Sequence, residues 1–198
     1  MALRKQAKVL NKHQVQMVVG YLNSQRYSSR NIAMFLLSVR AGLRAKEIGL
    51  VQWKHLVDSQ GNLMNELHLP NIATKGNSGR VVPLHKDLKE VLEVLFERAK
   101  GHRGFILEQT VLQSQKGGSM ARQSIINWFK ALYADLGVVG GSSHSGRRTF
   151  ATELGKRLSN NGCSIHDLSR LMGHSSIATT QHYLEHNPEG QKSLVNSW

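Results

Sequence analysis

Apolar residues recur with helical spacing, three and four residues apart, along most of the chain. The first such stretch follows Asn11, which has Gln14 three residues later, a pair typical of the capping box that begins a helix. The apolar side chains after it fall on one helical face, which predicts a helix packed on one side against a core. These apolar positions are Val15, Val18, Val19 and Leu22.

Later stretches repeat this pattern, so the chain is predicted to be mainly helical. Glycines and hydroxyl side chains between the stretches supply the expected ends and caps. In the helix that carries Arg147 in its first turn, the predicted buried face consists of Phe150, Leu154 and Leu158. The other helices are predicted from Ser28 or Ser29 to Gly42, from Arg44 to Leu50, around Leu88–Leu95 and Ile125–Leu136, and from Ser164 to Leu171.

One region departs from the helical pattern. Glu66–Leu69 alternates between polar and apolar residues, and Arg80–Leu84 is rich in residues that favour strands. The turn-forming cluster Thr74–Gly79 lies between them. These features predict a small antiparallel sheet with Lys75 at its hairpin tip, and thus an α+β fold that is mainly helical. Lys75 as an ordinary surface lysine in a turn is the alternative interpretation.

Charge points to a class of partner. The 198 residues, enough for one domain, include 26 basic and 13 acidic side chains, for a formal net charge of +13. The basic residues are spread along the chain, which favours a folded surface that binds a polyanion. The charge is also compatible with a merely basic protein. A generic RNA-binding protein is disfavoured because no aromatic-rich binding motif is present.

Cysteine content and hydropathy suggest a compartment. Cys163 is the single cysteine of the sequence, which excludes an internal disulfide and fits a reducing cytoplasm. It lies in no signature of a catalytic thiol. No apolar run is long enough to cross a membrane, and the N-terminal residues lack the apolar core of a signal peptide. We therefore expect a cytoplasmic protein.

Candidate chemistry is concentrated in the last third of the chain. His144 and Arg147 occur in one short segment, His174 follows Gly173, and a tyrosine, Tyr183, lies nine residues further on. Another arginine, Arg44, begins a predicted helix. The planar guanidinium of arginine matches two phosphate oxygens at once. A tyrosine hydroxyl, with a pKa of about 10, needs such a positive field to attack a phosphodiester.

Each of these residues also has an ordinary structural interpretation. Arg44 would be a solvated arginine at a helix start, and His174 a residue that caps a helix C-terminus. His144 would be a loop histidine. Tyr183 would be a core or surface aromatic, the usual role of a tyrosine.

Two other kinds of site are disfavoured. The segment Gly141–Thr149 superficially resembles a phosphate-binding P-loop, but arginines stand where that loop needs lysine and then serine or threonine. His174, His182 and His186 suggest a metal, but no cysteine or H-E-x-x-H pattern supplies further ligands. Neither a metal nor a cofactor is expected.

Four motifs in order resemble those of the tyrosine recombinase (phage integrase) family, over roughly residues 10 to 185. The ordered set is far more specific than a lone H-x-x-R. The first box is AGLRAKEIGLVQW, which places a catalytic arginine at Arg44 and a helix-stabilising acid at Glu47. The hairpin lysine of the family corresponds to Lys75 in TKGNSGRVVPL. The second box is HSGRRTFAT, which begins at His144, and the third is MGH, which is followed by Tyr183. In the second box, Gly146 replaces an apolar residue and Arg148 replaces a histidine.

The resemblance implies a mechanism for breaking and rejoining DNA strands. Tyr183 would attack the scissile phosphate, giving a 3′-phosphotyrosyl link and a free 5′-hydroxyl. Arg44, Arg147 and His174 would bind the non-bridging oxygens. Lys75 would protonate the departing 5′-oxygen, and His144 would assist proton transfer at the tyrosine. No ATP, metal or other cofactor is implied.

The resemblance also suggests how the chain is organised and used. Residues 1–184 would form one catalytic domain, and the tail 185–198 would pack on a neighbouring protomer in a tetramer on paired sites of double-stranded DNA. About ten residues precede the first predicted helix, so no N-terminal DNA-clamping domain is expected. Accessory DNA-bending or directionality proteins are possible partners. The alternatives are a type IB topoisomerase or telomere resolvase, and a DNA-binding regulator that has kept the fold without the chemistry.

Overall fold

A computed structural model describes residues 6–70, 79–183 and 196 of the chain. It is mainly helical with one two-stranded antiparallel sheet, which confirms the predicted α+β class. The elements in chain order are α1 Lys12–Asn23, α2 Ser28–Val39, α3 Ala45–Leu50, β1 Glu66–Leu69, β2 Arg80–Pro83, α4 Lys86–Lys100, α5 Arg122–Asp135, α6 Ser145–Gly155, α7 Ile165–Met172 and α8 Ile177–Gln181.

Helix α1 begins as the sequence predicts. The side chain of Asn11 accepts a hydrogen bond from the backbone N–H of Gln14 at 2.8 Å, and the Gln14 side chain accepts from the backbone N–H of Asn11 at 3.1 Å. This reciprocal pair is a complete capping box. Val15, Val18 and Leu22 are buried, so α1 packs on the core through its predicted face.

Helix α2 is the central helix of the fold, with every residue from Asn31 to Val39 buried. The predicted serine cap is wrong, because the capping position is Tyr27, a non-glycine residue with a left-handed φ of 62°. The guanidinium groups of Arg26 and Arg30 lie over its ring, 4.7 and 4.5 Å from the centroid, as cation–π contacts. The helix also ends at Val39, before the predicted Gly42.

The predicted sheet is confirmed. Strands β1 and β2 pair antiparallel, with Leu67 opposite Val82. Both of these side chains are buried, and their strand neighbours alternate outward. The predicted hairpin tip with Lys75 lies outside the described residues.

Helix α6 is buried differently from the prediction. Phe150 and Leu154 are only partly buried, and Leu158 lies beyond the end of the helix. These three side chains pack on a small second core of Ala151, Leu168 and Met172, which joins α6 to α7. The fully buried face of α6 consists instead of small, polar and charged residues: Ser145, Gly146, Arg147, Thr149, Ala151 and Thr152.

Small residues are needed there because α6 packs closely on α2. A Cβ atom at Gly146 would lie 2.4 Å from Oγ and 2.8 Å from Cβ of Ser38. Gly146 thus leaves no gap. It allows the helix that carries Arg147 to lie directly against the central helix.

Candidate active site

The ends of five elements meet at one place in the fold. Arg44 is the N-cap of α3, and Arg147 lies in the first turn of α6. His174 follows the last residue of α7 by two positions, and Tyr183 follows α8 by two. Arg80, the first residue of β2, completes the group. The ends of these elements hold the five side chains in fixed positions relative to one another.

A buried carboxylate holds the arginines together. The side chain of Glu47 is 1% exposed, and it accepts hydrogen bonds from both terminal nitrogens of Arg80 at 2.9 Å each. It also accepts from the backbone N–H of Arg44 at 2.7 Å and from Nη1 of Arg44 at 3.0 Å. Burial alone would favour the neutral acid, but the contacts with Arg80, the Arg44 backbone and the charge of Arg147 hold the pKa of Glu47 below its usual value.

Arg147 is fixed by two backbone carbonyls from different parts of the chain. Nη1 donates to the carbonyl oxygen of Gly42 at 2.6 Å, and Nη2 donates to that of Met172 at 2.6 Å. Nη1 lies 3.9 Å from Oε2 of Glu47. Burial, followed by the charge of Arg44, lowers the pKa of Arg147 to about 9, which still leaves the guanidinium charged at neutral pH.

The glycines of the two boxes are required by close packing. Gly42 has a φ of 66°, and a Cβ there would lie 2.5 Å from Cδ1 of Phe150. Gly173 has a φ of 59°, and a Cβ there would lie 2.7 Å from Nη1 of Arg80. At both positions the backbone is left-handed and neighbouring atoms occupy the space that a Cβ would need, so only glycine fits.

His174 contacts Arg147 through one ring nitrogen and Thr180 through the other. Nε2 lies 3.0 Å from Nη2 of Arg147, and Nδ1 lies 2.9 Å from Oγ1 of Thr180. Because a guanidinium only donates, Nε2 must accept and Nδ1 must carry the hydrogen that is donated to Thr180. Burial, followed by the charges of Arg147, Arg44 and Arg80, lowers the pKa of His174 to about 4, so the ring is neutral at pH 7.

Tyr183 lies beside this pair. Its ring stacks on the imidazole of His174, with centroids 5.7 Å apart and an interplanar angle of 11°. Its backbone N–H donates to the carbonyl oxygen of Thr180 at 3.0 Å, which fixes the chain just after α8. Tyr183, His144 and Arg147 line one pocket of about 360 Å³.

His144 and Arg148 lie on either side of Arg147 in the second box. His144 is exposed at the start of α6, yet partial desolvation of its ring, followed by the charges of Arg147, Arg44 and Arg122, lowers its pKa. Arg148 donates through Nη1 to the carbonyl oxygen of Ala7 at 2.6 Å and thereby holds the N-terminal segment against α6. Arg148 therefore has a structural contact of its own.

Five of the six predicted site residues are thus brought together: Arg44, His144, Arg147, His174 and Tyr183. The sixth, Lys75, lies outside the described residues and stays a prediction. Sequence reasoning missed Arg80 and Thr180. Arg80 had a usable signal, because it shares the inward face of β2 with Val82, and a charged residue at an inward strand position needs a buried partner.

Within the described ranges, no group of three or more histidine, cysteine or acidic side chains is arranged to hold a metal ion. His186, one of the histidines considered for such a site, lies outside these ranges. Cys163 is exposed and unbridged. In the same part of the chain, no helix combines the length and apolarity that crossing a membrane requires.

Comparisons with known proteins agree on one family. A sequence profile described as the Phage integrase family matches residues 8–189. The tyrosine recombinase XerD of Vibrio cholerae serotype O1 is 30% identical over 172 residues, which cover 84% of this chain and 53% of that protein. The chain thus spans about half the length of this relative.

The fold is similar to those of solved recombinases. The crystal structure of XerA recombinase matches with a TM-score of 0.73 at 20% identity, over 95% of this chain and 64% of that one. The Tn1549 transposon integrase in complex with transposon right end DNA matches with a TM-score of 0.72 at 18% identity, over 98% of this chain and 67% of that one. At these identities the likeness shows a shared catalytic-domain fold.

Proposed function

Because the chain belongs to the phage integrase family, we propose that it is a site-specific recombinase that cleaves and rejoins double-stranded DNA through a 3′-phosphotyrosyl intermediate. One observation carries this proposal. The charged Arg147 and the hydroxyl-bearing Tyr183 line one pocket, and the neutral His174 contacts both of them, although the three come from separate segments. A phosphodiester in this pocket meets cationic donors and a nucleophile together.

The arginines supply the electrostatic part of the mechanism. Arg147 is fixed by the carbonyls of Gly42 and Met172, and Arg44 by the carboxylate of Glu47, so both are oriented before DNA arrives. The side chain of Arg44 is 29% exposed, which leaves it able to reach a phosphate. Donors that are preorganised toward growing charge lower a barrier without a reorganisation cost.

Proton transfers complete the cleavage step. The oxygen of Tyr183 bonds to phosphorus while the bond from phosphorus to the 5′-oxygen breaks. His144, whose lowered pKa favours the neutral ring, accepts the tyrosine proton. Lys75 gives a proton to the departing 5′-oxygen, and rejoining reverses both transfers.

His174 has a role that depends on the bound phosphate. Its Nε2 accepts from Arg147 in the structure, so it has no hydrogen to give to a phosphate oxygen in this state. Negative charge that develops on the phosphate oxygens in the transition state favours the protonated ring over the neutral one. The protonated imidazolium has a hydrogen on Nε2 to donate. We propose that His174 becomes a donor only as negative charge grows.

Double-stranded DNA is the proposed substrate. The formal charge of +13 favours it, and the Tn1549 transposon integrase, which has the same fold, is seen bound to transposon DNA. The tail 185–198 is proposed to pack on a neighbour in a homotetramer on paired sites, with residues 1–184 as the catalytic domain. Accessory DNA-bending or directionality proteins would act on that assembly.

A covalent-trapping experiment tests the proposal. The protein is incubated with nicked duplexes made from DNA that flanks its gene, and the products are separated in SDS. The wild-type protein is expected to form an SDS-stable adduct, and Tyr183→Phe to bind the same DNA without forming it. Tyr21→Phe, on α1, is the matched control. An adduct with Tyr183→Phe, or none with the wild type, would contradict the assignment.

The same experiment separates the alternatives. A non-catalytic DNA-binding regulator would bind the duplexes and give no adduct. A type IB topoisomerase or telomere resolvase would also give an adduct, and a recombination assay separates it because it would not require two paired specific sites.

A further inference from the structure

Arg80 makes a bidentate contact with the carboxylate at the centre of the site. Nη1 donates to Oε1 of Glu47 and Nη2 to Oε2, both at 2.9 Å. The two side chains are 5% and 1% exposed. A paired contact of this kind fixes both the plane and the direction of the carboxylate.

The remaining contacts of that carboxylate are with the arginines proposed to bind the phosphate. Glu47 accepts from Nη1 of Arg44 at 3.0 Å, and its Oε2 lies 3.9 Å from Nη1 of Arg147. If Arg80 were absent, Glu47 would be a buried charge with too few partners, which is costly. The carboxylate would then compete with the phosphate for Arg44 and Arg147.

The local packing also defines the place of the Arg80 guanidinium. Gly173, in the turn that precedes His174, leaves the space that the guanidinium occupies, since a Cβ there would lie 2.7 Å from Nη1 of Arg80. Both terminal nitrogens of Arg80 are directed at Glu47. Arg80, at 5% side-chain exposure, thus has the carboxylate of Glu47 as its charged partner.

We propose that Arg80 is a positioning residue for the recombination reaction. Its two hydrogen bonds to the carboxylate of Glu47 offset the negative charge there. Arg44 and Arg147 therefore remain available to the scissile phosphate. The three guanidinium groups and one carboxylate leave a net charge of two positive (three minus one) for the phosphate. This inference rests on the proposed function.

A double-mutant cycle with Glu47 tests it. Cleavage rates of bound DNA are measured for Arg80→Met, Glu47→Gln and the double variant, with thermal unfolding measured alongside. Arg80→Met is expected to lower the cleavage rate at least about tenfold. Without Arg80, the carboxylate of Glu47 would attract Arg44 and Arg147 more strongly and weaken their contacts with the phosphate. The double variant is expected to be faster than Arg80→Met, because a neutral amide competes far less. Arg98→Met, at an exposed position on α4, controls for the loss of one positive charge.

A merely structural role gives a different pattern. The Arg80→Met substitution would then lower the cleavage rate by the same factor whether residue 47 is glutamate or glutamine. That result would overturn the proposal. A wild-type rate for Arg80→Met would overturn it as well. If Arg80→Met fails to fold, the comparison of Glu47→Gln with the double variant decides, since positioning predicts less than a twofold difference between them.

A phosphate titration separates this inference from the proposed function. Binding of inorganic phosphate, followed by NMR, is expected to weaken in Arg80→Met and to recover in the double variant. If the wild type gives no DNA adduct, the proposed function fails and the titration still decides the role of Arg80. Phosphate affinity that is equal in Arg80→Met and the wild type would refute the positioning role.

Discussion

Arg147 is held from both sides by main-chain carbonyls, so its orientation depends on the fold and not on bound DNA. Carbonyl oxygens from Gly42 and Met172 lie 2.6 Å from its two terminal nitrogens. If a phosphate binds here as proposed, the arginine does not have to be reoriented, so these contacts add little cost. This arrangement also explains why the side chain tolerates almost complete burial, at 3% exposure of the residue.

Loss of either arginine that is proposed to bind the phosphate is expected to be severe. Arg147→Ala and Arg44→Ala should each lower cleavage at least about a hundredfold, as removal of a preorganised donor typically does. The measurement is single-turnover cleavage of a nicked duplex under saturating protein. Arg103→Ala, at an exposed position after α4, is the control. Full activity of either site variant would refute the phosphate-clamp assignment.

His174 is expected to make folding stability depend on pH. Its folded-state pKa of about 4 lies below the ordinary value of 6.5, so the unfolded chain binds the proton more readily. The stability due to the neutral ring is therefore fully present above pH 6.5 and is lost as pH falls toward 4. Thermal unfolding between these pH values should show a shallower slope for His174→Gln than for the wild type. His13→Gln, an exposed histidine of α1, is the control, and an unchanged slope for His174→Gln would contradict the prediction.

For individual residues, the sequence predicts those that belong to a recognisable motif. It misses those whose role depends on contacts with partners distant in sequence. Arg44, Arg147, His174 and Tyr183 could be predicted because their motifs resemble those of a known family, and the structure brings them together. Arg80 and Thr180 could not, because their importance comes from partners distant in sequence: Glu47 is 33 residues from Arg80. A strand register shows that Arg80 points inward, but not what it meets.

The contact between helices α2 and α6 determines where the second box lies relative to the first. Gly146 on α6 packs on Ser38 of α2, with no room for a Cβ. Helical periodicity predicts large apolar residues on the buried face, which holds for α1 but not for α6. Two helices that pack this closely need small residues between them, and a pattern search for apolar residues does not detect such a face.

Substitution of Gly146 tests this packing. Alanine there should destabilise the protein by about 1–3 kcal/mol, because its Cβ would overlap Ser38 and force the helices apart. Gly20→Ala in α1 is a matched control, since the space around Gly20 is open and alanine favours a helix by up to about 1 kcal/mol. The two changes should therefore shift the unfolding temperature in opposite directions. A neutral or stabilising Gly146→Ala would show that the helices separate easily.

The protein combines a strongly basic composition with a site whose parts come from distant segments. Arg44 and Tyr183 are 139 positions apart (183 minus 44), and both lie at ends of short helices. Such a site forms only when the complete domain folds, so the activity should be lost with the fold as one cooperative unit. The sequence predicts this convergence only through the resemblance to a family, since periodicity gives elements and not their arrangement.

The C-terminal tail is predicted to act at the level of the assembly. Leu194, Val195 and Trp198 are apolar residues after the helix-breaking pair Pro188 and Gly190. An apolar segment needs a surface on which to bury, and tryptophan is a common anchor at protein interfaces. If that surface belongs to a neighbouring protomer, the tail matters for joining two DNA sites and not for cutting one.

Deletion of residues 190–198 separates these activities. The truncated protein is expected to form the covalent adduct on a single nicked site at close to the wild-type rate, because the described site residues all precede the deletion. Recombination between two sites should fall much more, since the protomers would no longer engage each other. Both rates are measured on the same preparation, with thermal unfolding as the check on folding. A truncated protein that recombines at the full rate, or that unfolds, would indicate that the tail packs on its own domain or has no role in assembly.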